Sequence, residues 1–365
     1  MKVGKCQQLP SILIIDGINM PPIGKQIYDA CLQIGLSVNY IDAKKLKQKR
    51  FYKSRKSIKK FLAKRKSKNE YCYCTKLSSS SVKFIEKAIV ENQPDIVLVI
   101  GFSYPYVGKD FFANLKKQIK FKLVLFDTEF GNFISNQKKL KFYMAQELSR
   151  YDKLIVFSKK IAEFLEDKNA VFFPFGYKEI KSLKQTPKER DICFVGGPDM
   201  RRTFLLERLR EQDLIVCGSS WRKYKDLISV ELKNKVITEN IWDDALYDLI
   251  GKSKIILNIT NLPFYGLETG INLRVFEALA VGGFLLTDHY EELQDLFEIG
   301  KEIETFKSAD ELVDKVNFYL NHDDLRNKIA AKGHEKFLKH FTWESRVRDL
   351  IQIIPNSAVG REFRT

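Results

Sequence analysis

Arg274 and Glu277 stand in a stretch whose pattern suits the binding of a phosphorylated nucleotide. The segment 264–288 reads FYGLETGINLRVFEALAVGGFLLTD, and apolar residues recur at helical spacing over 275–280. A helix N-terminus offers free N–H groups and a positive dipole end that suit a diphosphate. An acid on the same helix can accept hydrogen bonds from ribose hydroxyls. The segment therefore predicts a nucleotide-sugar site, and the alternative is a solvent-facing Arg–Glu pair.

A glycine turn upstream predicts a second phosphate contact. Gly196 and Gly197 follow an apolar strand, and Arg201 and Arg202 lie at the start of the next predicted helix. Glycines let a ligand approach the backbone, and an arginine can neutralise the charge of a departing diphosphate. We favour Arg202 for that role; the alternative is a plain turn with exposed arginines. Gly218 ends the following strand, at the edge where open α/β sheets bind ligands.

Composition indicates a globular chain with more than one domain. The chain has 365 residues, 44% of them hydrophobic, which is enough for two domains with sizeable cores. No apolar run approaches the roughly 20 residues that span a bilayer, and the N-terminus has no signal-peptide pattern. The six cysteines lack disulfide-like or zinc-like spacing. We therefore expect a cytoplasmic protein, with a peripheral position on the inner face of the membrane as an option.

The positive charge is concentrated in one insertion. The net charge is +16, and residues 43–69 hold fourteen Lys/Arg and no Asp/Glu. Within this insertion, apolar residues such as Ile58 and Leu62 recur at roughly helical intervals. A basic amphipathic helix over 44–68 can lie on an anionic membrane surface or hold a polyanion. A membrane surface, an acidic acceptor and nucleic acid are the possible partners, in that order, and a merely solvated lysine-rich insertion is the alternative.

Strands and helices alternate along most of the chain, which predicts parallel, doubly wound sheets. A polar run, 178–190, separates two such series. The predicted strands lie at 11–15, 38–41, 95–100, 122–126, 153–157, 191–197, 214–218, 236–238, 255–259 and 284–287. The predicted helices run from the loop after residue 16 to about 35, then over 82–91, 111–119, 140–149, 159–166, 200–210, 243–250, 311–320, 324–337 and 342–354.

Residues 272–288, NLRVFEALAVGGFLLTD, resemble the donor-binding signature of the two-Rossmann (GT-B) glycosyltransferases, in the version of the CgeB-like group. A strand–serine–helix–PFG stretch over 151–177 is similar to the end of the first GT-B domain. In better-known retaining members two glutamates stand eight positions apart. Glu277 matches the second, which the resemblance implies binds ribose. The first falls at Thr269, with Glu268 one place early.

The resemblance implies two Rossmann-like domains facing across a cleft. We expect an acceptor domain over 1–180, a nucleotide-sugar domain over 190–342, a helix over 343–355 that crosses back to the first domain, and a tail over 356–365. The expected reaction is Leloir-type transfer of a sugar, with a UDP-sugar favoured as co-substrate and no bound cofactor. The nucleotide-sugar contacts are assigned to Gly196, Gly197, Arg202, Gly218, Asn272, Leu273, Arg274 and Glu277.

An inverting transfer needs a general base to deprotonate the acceptor hydroxyl. Carboxylates at the ends of the first domain's strands are the candidates: Asp16, Asp127 and Glu129. The Asp127-Thr-Glu129 triplet resembles a metal-binding DxD, but its place in a Rossmann-like domain argues against metal, and we expect none. The acceptor would be a hydroxyl of a glycan, a lipid-linked glycan or a protein.

Three other functions remain open at this point. A DNA-modifying glucosyltransferase of the same architecture would use the basic insertion to contact DNA. A non-catalytic nucleotide-sugar-binding protein on a degenerate scaffold is suggested by Thr269, which stands where an acid is usual. A nucleotide-sugar epimerase would share the fold without a macromolecular acceptor. Fold alone does not decide among them.

Overall fold

The computed structural model describes residues 9–18, 21–66, 74–101, 106–128, 130, 137–180 and 187–354. Within the helix that ends at residue 66, the side chains of residues 60 and 63–66 are not described. The chain divides into two compact units, residues 1–173 with 347–365, and residues 174–346. Glu129 and residues 67–69 of the basic insertion lie outside the described residues.

The first unit contains a parallel six-stranded sheet in the order β2-β1-β3-β4-β5-β6. Its strands are β1 Ile12–Asp16, β2 Val38–Asp42, β3 Ile96–Ile100, β4 Lys122–Asp127, β5 Lys153–Val156 and β6 Ala170–Phe172. Every residue of β1 and β3 is buried, as expected for parallel strands covered on both faces. The register pairs Asp16 with Asp42 of β2 and with Ile100 of β3, so these strands end at one edge of the sheet.

The helices of the first unit connect successive parallel strands. They are α1 Ile23–Gln33, α2 Tyr52–Lys66, α3 Ser79–Asn92, α4 Phe111–Lys116, α5 Gln137–Phe142 and α6 Lys159–Phe164. Ser78 and Ser158 cap α3 and α6 by accepting backbone N–H bonds from the first turn. Local side-chain chemistry therefore sets where these two helices begin.

The regular helix predicted over 140–149 is wrong. Helix α5 ends at Phe142, a π-helical turn covers Tyr143–Glu147, and a 3₁₀ turn covers Leu148–Arg150. The irregular turns bury Glu147, which accepts a hydrogen bond from the Tyr151 hydroxyl at 2.9 Å and pairs with Arg150 at 2.8 Å. A buried carboxylate needs such partners, so tertiary contacts override the local helical pattern.

The second unit contains another parallel six-stranded sheet, in the order β12-β11-β10-β7-β8-β9. Its strands are β7 Arg190–Val195, β8 Leu214–Cys217, β9 Val236–Ile237, β10 Ser253–Asn258, β11 Leu285–Asp288 and β12 Glu304–Phe306. The edge strands β6 and β12 were not among the predicted strands. Three residues are too few to show an alternating pattern, and pairing with a neighbour alone makes them strands.

The helices of the second unit cover its sheet and build its core. They are α7 Met200–Glu207, α8 Val230–Lys233, α9 Asp243–Lys252, α10 Leu262–Tyr265, α11 Leu273–Ala280, α12 Glu291–Gln294, α13 Ala309–Leu320 and α14 Asp323–His340. Helix α15, Trp343–Ile353, begins in this unit, and residues from Val347 onward group with the first unit. The four-residue helices α8, α10 and α12 escaped the sequence pattern because each is about one turn long.

None of the described helices is both long enough and apolar enough to cross a membrane. Cys31, Cys193 and Cys217 are buried, and burial raises the pKa of the Cys31 thiol to about 12 and of the other two to about 11. These thiols therefore act as small hydrophobic side chains. Cys6 and Cys72 lie outside the described residues.

Candidate functional site

Helix α11 starts at the carboxyl edge of the second sheet, where an asparagine network fixes it. Asn272 caps the helix: its Oδ1 accepts the Arg274 N–H at 3.0 Å. The Asn272 Nδ2 donates to Asn258 Oδ1 at 3.2 Å, and the Asn258 Nδ2 donates to Thr287 Oγ1 at 2.8 Å. Within the described part of the chain, the Leu273 N–H makes no hydrogen bond. The first helical N–H is therefore available to an anion.

Glu277 and Arg274 form an ion pair that is almost completely buried. Their Oε2 and Nη1 atoms lie 2.6 Å apart, and the two side chains are 3% and 13% exposed. The alternative of a solvent-facing pair is therefore wrong. Burial raises the pKa of Glu277, although the Arg274 charge and a hydrogen bond from Tyr177 oppose the shift. A buried carboxylate stays ionised only when hydrogen-bond donors or a cation surround it. Such surroundings are expected of an acid that binds a ligand.

Tyr177 and Tyr247 complete the surroundings of Glu277, and the sequence interpretation missed both. The two hydroxyl oxygens lie 3.0 Å apart. Either of these hydroxyls can be the donor, and a hydrogen bond from Tyr177 also lowers the pKa of Glu277. Tyr177 follows the Pro174-Phe-Gly stretch, so that short motif was the available signal. The two tyrosines orient the carboxylate from outside helix α11.

The glycine turn after β7 is held against the end of β8. The Gly196 N–H donates to Cys217 O at 3.0 Å, and the Trp221 indole N–H donates to Gly196 O at 2.8 Å. Trp221 is fully buried, so it packs in the core and has no exposed ring face on which a nucleotide base could stack. A Cβ at Gly218 would lie 2.6 Å from the Gly196 carbonyl oxygen. Glycine at 218 therefore allows the two turns to approach.

Replacing Gly218 with Ala should destabilise the second unit by about 1–3 kcal/mol, because its methyl group would push the Gly196 carbonyl away from its indole donor. Gly197→Ala is the matched control, since the nearest atom to a Cβ there is Ser220 Cβ at 4.0 Å. Urea unfolding of both variants measures the difference. Equal losses of unfolding free energy would contradict the steric argument.

Comparisons with known proteins identify a similar family and similar folds. Residues 201–352 match the family described as glycosyl transferase-like. The structure resembles a glycosyltransferase from Rickettsia africae ESF-5 with a TM-score of 0.60 and 14% identity, over 95% of this chain and 100% of that one. The resemblance to Anabaena Alr3699/HepE in complex with UDP-glucose has a TM-score of 0.61 and 10% identity, over 94% and 99%. The resemblance to sucrose-phosphate synthase from Thermosynechococcus elongatus has a TM-score of 0.59 and 12% identity, over 94% of this chain and 98% of that one.

The resemblance to the GT-B glycosyltransferases is confirmed. Both sheets have the doubly wound topology predicted for this fold. A further match, 22% identical over 122 residues, is to the uncharacterized protein L140 of Acanthamoeba polyphaga mimivirus. It covers 30% of this chain and 40% of that protein, so the match spans less than half of either. The CgeB-like subgroup stays a prediction.

The two arginines of α7 contact different parts of the second unit. Arg202 donates from Nε to Ile259 O at 2.8 Å and from Nη1 to Gly197 O at 2.9 Å. It therefore links the glycine turn to the end of β10. The Gly197 N–H, like that of Leu273, makes no hydrogen bond within the described part of the chain. The turn thus presents a backbone donor beside a guanidinium.

Arg201 forms a bidentate ion pair with Asp288 at the end of β11. Its Nη1 lies 3.0 Å from Asp288 Oδ2, Nη2 bonds Oδ1, and the guanidinium stacks 3.6 Å from the centre of the Tyr265 ring. The Thr260 N–H also donates to Asp288, at 2.7 Å. The alternative of exposed arginines is wrong, since the Arg201 and Arg202 side chains are 16% and 14% exposed. Asp288 was missed as the partner because 87 positions separate it from Arg201.

The position of the other family glutamate is filled by a buried hydroxyl. Thr269 is fully buried, and its Oγ1 donates to the Glu292 carboxylate. Glu268 is exposed, and its φ of 54° is in the left-handed region. The loop therefore places a neutral donor, not an acid, inside the domain at this point.

Two of the three candidate bases are described, and both lie at the carboxyl edge of the first sheet. Asp16 is 1% exposed and accepts the Ile18 N–H and the Tyr40 hydroxyl, each at 2.8 Å. Burial raises the pKa of Asp16. Asp127 is 2% exposed and accepts the Phe130 N–H at 3.2 Å. Both carboxylates thus shape the loops after their strands, and a catalytic role for either stays a prediction.

No group of three or more His, Cys, Asp or Glu side chains that could hold a metal ion occurs in the described parts of the chain. His289 and His334 make hydrogen bonds to Thr305 Oγ1 and to Leu279 O, at 3.1 and 2.7 Å. These contacts give both histidines structural roles in the second unit. Metal-independent transfer stays a prediction.

Proposed function

We propose that this glycosyltransferase moves a sugar from a UDP-sugar to a hydroxyl group of an acceptor. The observation that carries the proposal is the buried Glu277–Arg274 pair on a helix whose first N–H is unpaired in the described structure. The Glu277–Arg274 pair lies within residues 201–352, which match the glycosyl transferase-like family. The Anabaena neighbour has been crystallised with UDP and with UDP-glucose, which supports uracil as the base.

The proposed donor contacts divide between ribose and diphosphate. Glu277 would accept hydrogen bonds from the ribose hydroxyls, since a carboxylate can accept about four and Arg274 and Tyr177 do not use them all. The Leu273 and Gly197 N–H groups would bind phosphate oxygens. Arg274 and Arg202 would stabilise the charge that develops on the leaving diphosphate. Gly196, Gly218 and Asn272 would position these groups.

The proposed transfer breaks the bond between the sugar and the diphosphate while the acceptor hydroxyl attacks the anomeric carbon. Asp16, Asp127 or Glu129 would take the hydroxyl proton if the reaction inverts. Water must be excluded, because otherwise the donor would be hydrolysed. The acceptor class includes glycans, lipid-linked glycans and proteins; the TarM structure, a neighbour at 14% identity, was solved with UDP and α-GlcNAc-glycerol. We propose a cytoplasmic location, where nucleotide sugars are the donors.

A second candidate is a nucleotide-sugar-binding protein without transferase activity. The observation that favours it is Thr269, whose buried bond to Glu292 takes the place of the family's first glutamate. Such a protein would bind a UDP-sugar and release no UDP from it, whatever acceptor was offered.

Thermal unfolding with UDP, GDP, dTDP and CMP, with uridine as the control that lacks phosphate, tests the donor site. A ligand present at about 100 times its Kd should add about 2.7 kcal/mol of stability. We expect a shift with UDP and little with uridine. No shift with any nucleotide would overturn the donor-site assignment. UDP release from UDP-sugars in the presence of acceptor hydroxyls then distinguishes the transferase from the binding protein.

A further inference from the structure

The basic insertion is attached to the first unit through a closed neck. The Lys49 N–H donates to Lys76 O at 2.9 Å, and the Ser78 N–H donates to Lys47 O at 3.0 Å. Gln48 and Leu77 form an antiparallel bridge, and Leu77 is completely buried. The insertion leaves the sheet after β2, at the edge where Asp16 and Asp42 are paired in register. Helix α2 therefore has a defined origin at the carboxyl edge of the first sheet.

Helix α2 presents large apolar side chains to solvent on one face. Ile58, Phe61 and Leu62 are 59%, 60% and 51% exposed. Their i, i+3, i+4 spacing puts them within about 100° of the helix circumference. Phe51, just before the helix, is 66% exposed as well. A helix on a globular protein normally turns such a stripe toward the core, whereas these three side chains are more than half exposed.

The same helix carries positive charge without compensating acids. The insertion has fourteen Lys/Arg and no Asp/Glu over 43–69. Lys53, Arg55 and Lys59 are exposed, and none of them pairs with a carboxylate in the described structure. On a helical projection Arg55 and Lys59 lie along one edge of the apolar stripe, while Lys53 lies on the opposite side. Long basic side chains beside an apolar stripe can extend to the phosphates of a membrane interface.

We propose that helix α2 lies on the surface of an anionic lipid bilayer, with Ile58, Phe61 and Leu62 inserted among the acyl chains and with Arg55 and Lys59 on lipid phosphates. Charge complementarity selects an anionic surface, and the exposed apolar stripe selects lipid over a purely polar polyanion. Nucleic acid would use the positive charge but not the apolar side chains. The surface binding does not depend on the donor site.

Membrane binding also narrows the class of acceptor molecule, and this inference rests on the proposed function. The insertion begins at the strand edge that carries Asp16, one of the candidate bases. Binding at the bilayer would hold this edge near the membrane plane. An acceptor hydroxyl carried by a membrane lipid would then reach it more readily than a soluble one, because both molecules are confined to one surface.

Cosedimentation of the full chain with vesicles tests the surface. The vesicles are phosphatidylcholine alone or phosphatidylcholine mixed with phosphatidylglycerol. We expect binding only to the anionic vesicles, weakened as the salt rises from about 0.1 M to about 1 M. The double variant R55Q/K59Q should lose about 25-fold in affinity, at about fivefold for each charge. The variant I58Q/L62Q, which keeps every charge, should lose at least about tenfold.

Matched controls change the same residue types elsewhere in the first unit. K83Q/K117Q removes two exposed lysines from other elements, and L32Q/F84Q removes two exposed apolar side chains, which are 50% and 53% exposed. Both should bind vesicles like the unaltered chain. All the changed side chains are exposed, so thermal unfolding should be similar in every variant.

Two results would overturn the proposal. One is vesicle binding that I58Q/L62Q leaves unchanged, since the stripe would then play no part. The other is no binding to the anionic vesicles; salt-dependent binding of a DNA duplex in a fluorescence anisotropy titration would then favour nucleic acid as the partner. UDP binding by I58Q/L62Q should be normal in every case. An experiment that rejects membrane binding by α2 is thus distinguishable from one that rejects the donor-site assignment.

Discussion

Replacing Glu277 with Gln is expected to weaken UDP binding about 100-fold. The side chain keeps its shape but loses its charge, so two hydrogen bonds from ribose hydroxyls become neutral and each is weaker by about 1–1.5 kcal/mol. The affinity for inorganic pyrophosphate should not fall, because that ligand has no ribose and Arg274 remains. Calorimetric titration with UDP and with pyrophosphate measures both effects on the same protein.

The control for this substitution is a second buried glutamate–cation pair in the same unit. Glu304 is 6% exposed and lies 3.0 Å from Lys315 Nζ. E304Q should also reduce stability but leave the Kd for UDP unchanged. Binding is measured at a temperature where circular dichroism shows both variants folded. A fall in pyrophosphate affinity equal to that for UDP would assign Glu277 to the positioning of Arg274 and not to ribose.

Replacing Arg201 with Met is expected to reduce the free energy of unfolding by about 3–5 kcal/mol at neutral pH. The change leaves Asp288, which is 1% exposed, without the guanidinium that neutralises it. Only the Thr260 N–H at 2.7 Å remains from the contacts described. The loops that follow β10 and β11 should therefore separate. Urea unfolding at several pH values measures the loss.

The loss should grow as the pH rises. Burial already raises the pKa of Asp288, and Arg201 opposes that shift, so its removal raises the pKa further. A carboxyl group whose folded pKa lies above its unfolded value of about 3.9 stabilises the fold while protonated. That contribution is complete below the unfolded pKa and is lost as the pH rises through the folded one. The R201M variant should therefore be less impaired at pH about 5 than at pH about 8.

An exposed ion pair provides the comparison for R201M. Arg208 pairs with Asp310, and their side chains are 45% and 83% exposed. Solvent screens such a pair, so R208M should cost less than about 1 kcal/mol and show little dependence on pH. If R201M and R208M were equally stable at every pH, the Arg201–Asp288 pair would not be holding the two loops.

The local sequence pattern was sufficient to predict the helix and the strand around the candidate donor site. The helical spacing over 275–280 and the glycines at 282–283 predicted helix α11 and strand β11, because periodicity and turn chemistry act within a few residues. Helix α11 begins at Leu273, and Gly282 has a positive φ of 72°. The concentration of charge in the basic insertion was also visible in the sequence, since it is a property of composition.

The partners of the site residues required the tertiary structure. Glu277 receives a hydrogen bond from Tyr177, which lies 100 positions away, and 87 positions separate Arg201 from Asp288. The helical spacing of the apolar residues in α2 was visible in the sequence. Only the structure showed that these side chains are exposed. The sequence by itself determined the elements, the GT-B resemblance and the candidate residues, because these follow from short-range spacing and residue type. The fold alone decided which charges meet and which are buried, because those contacts join residues far apart in the chain.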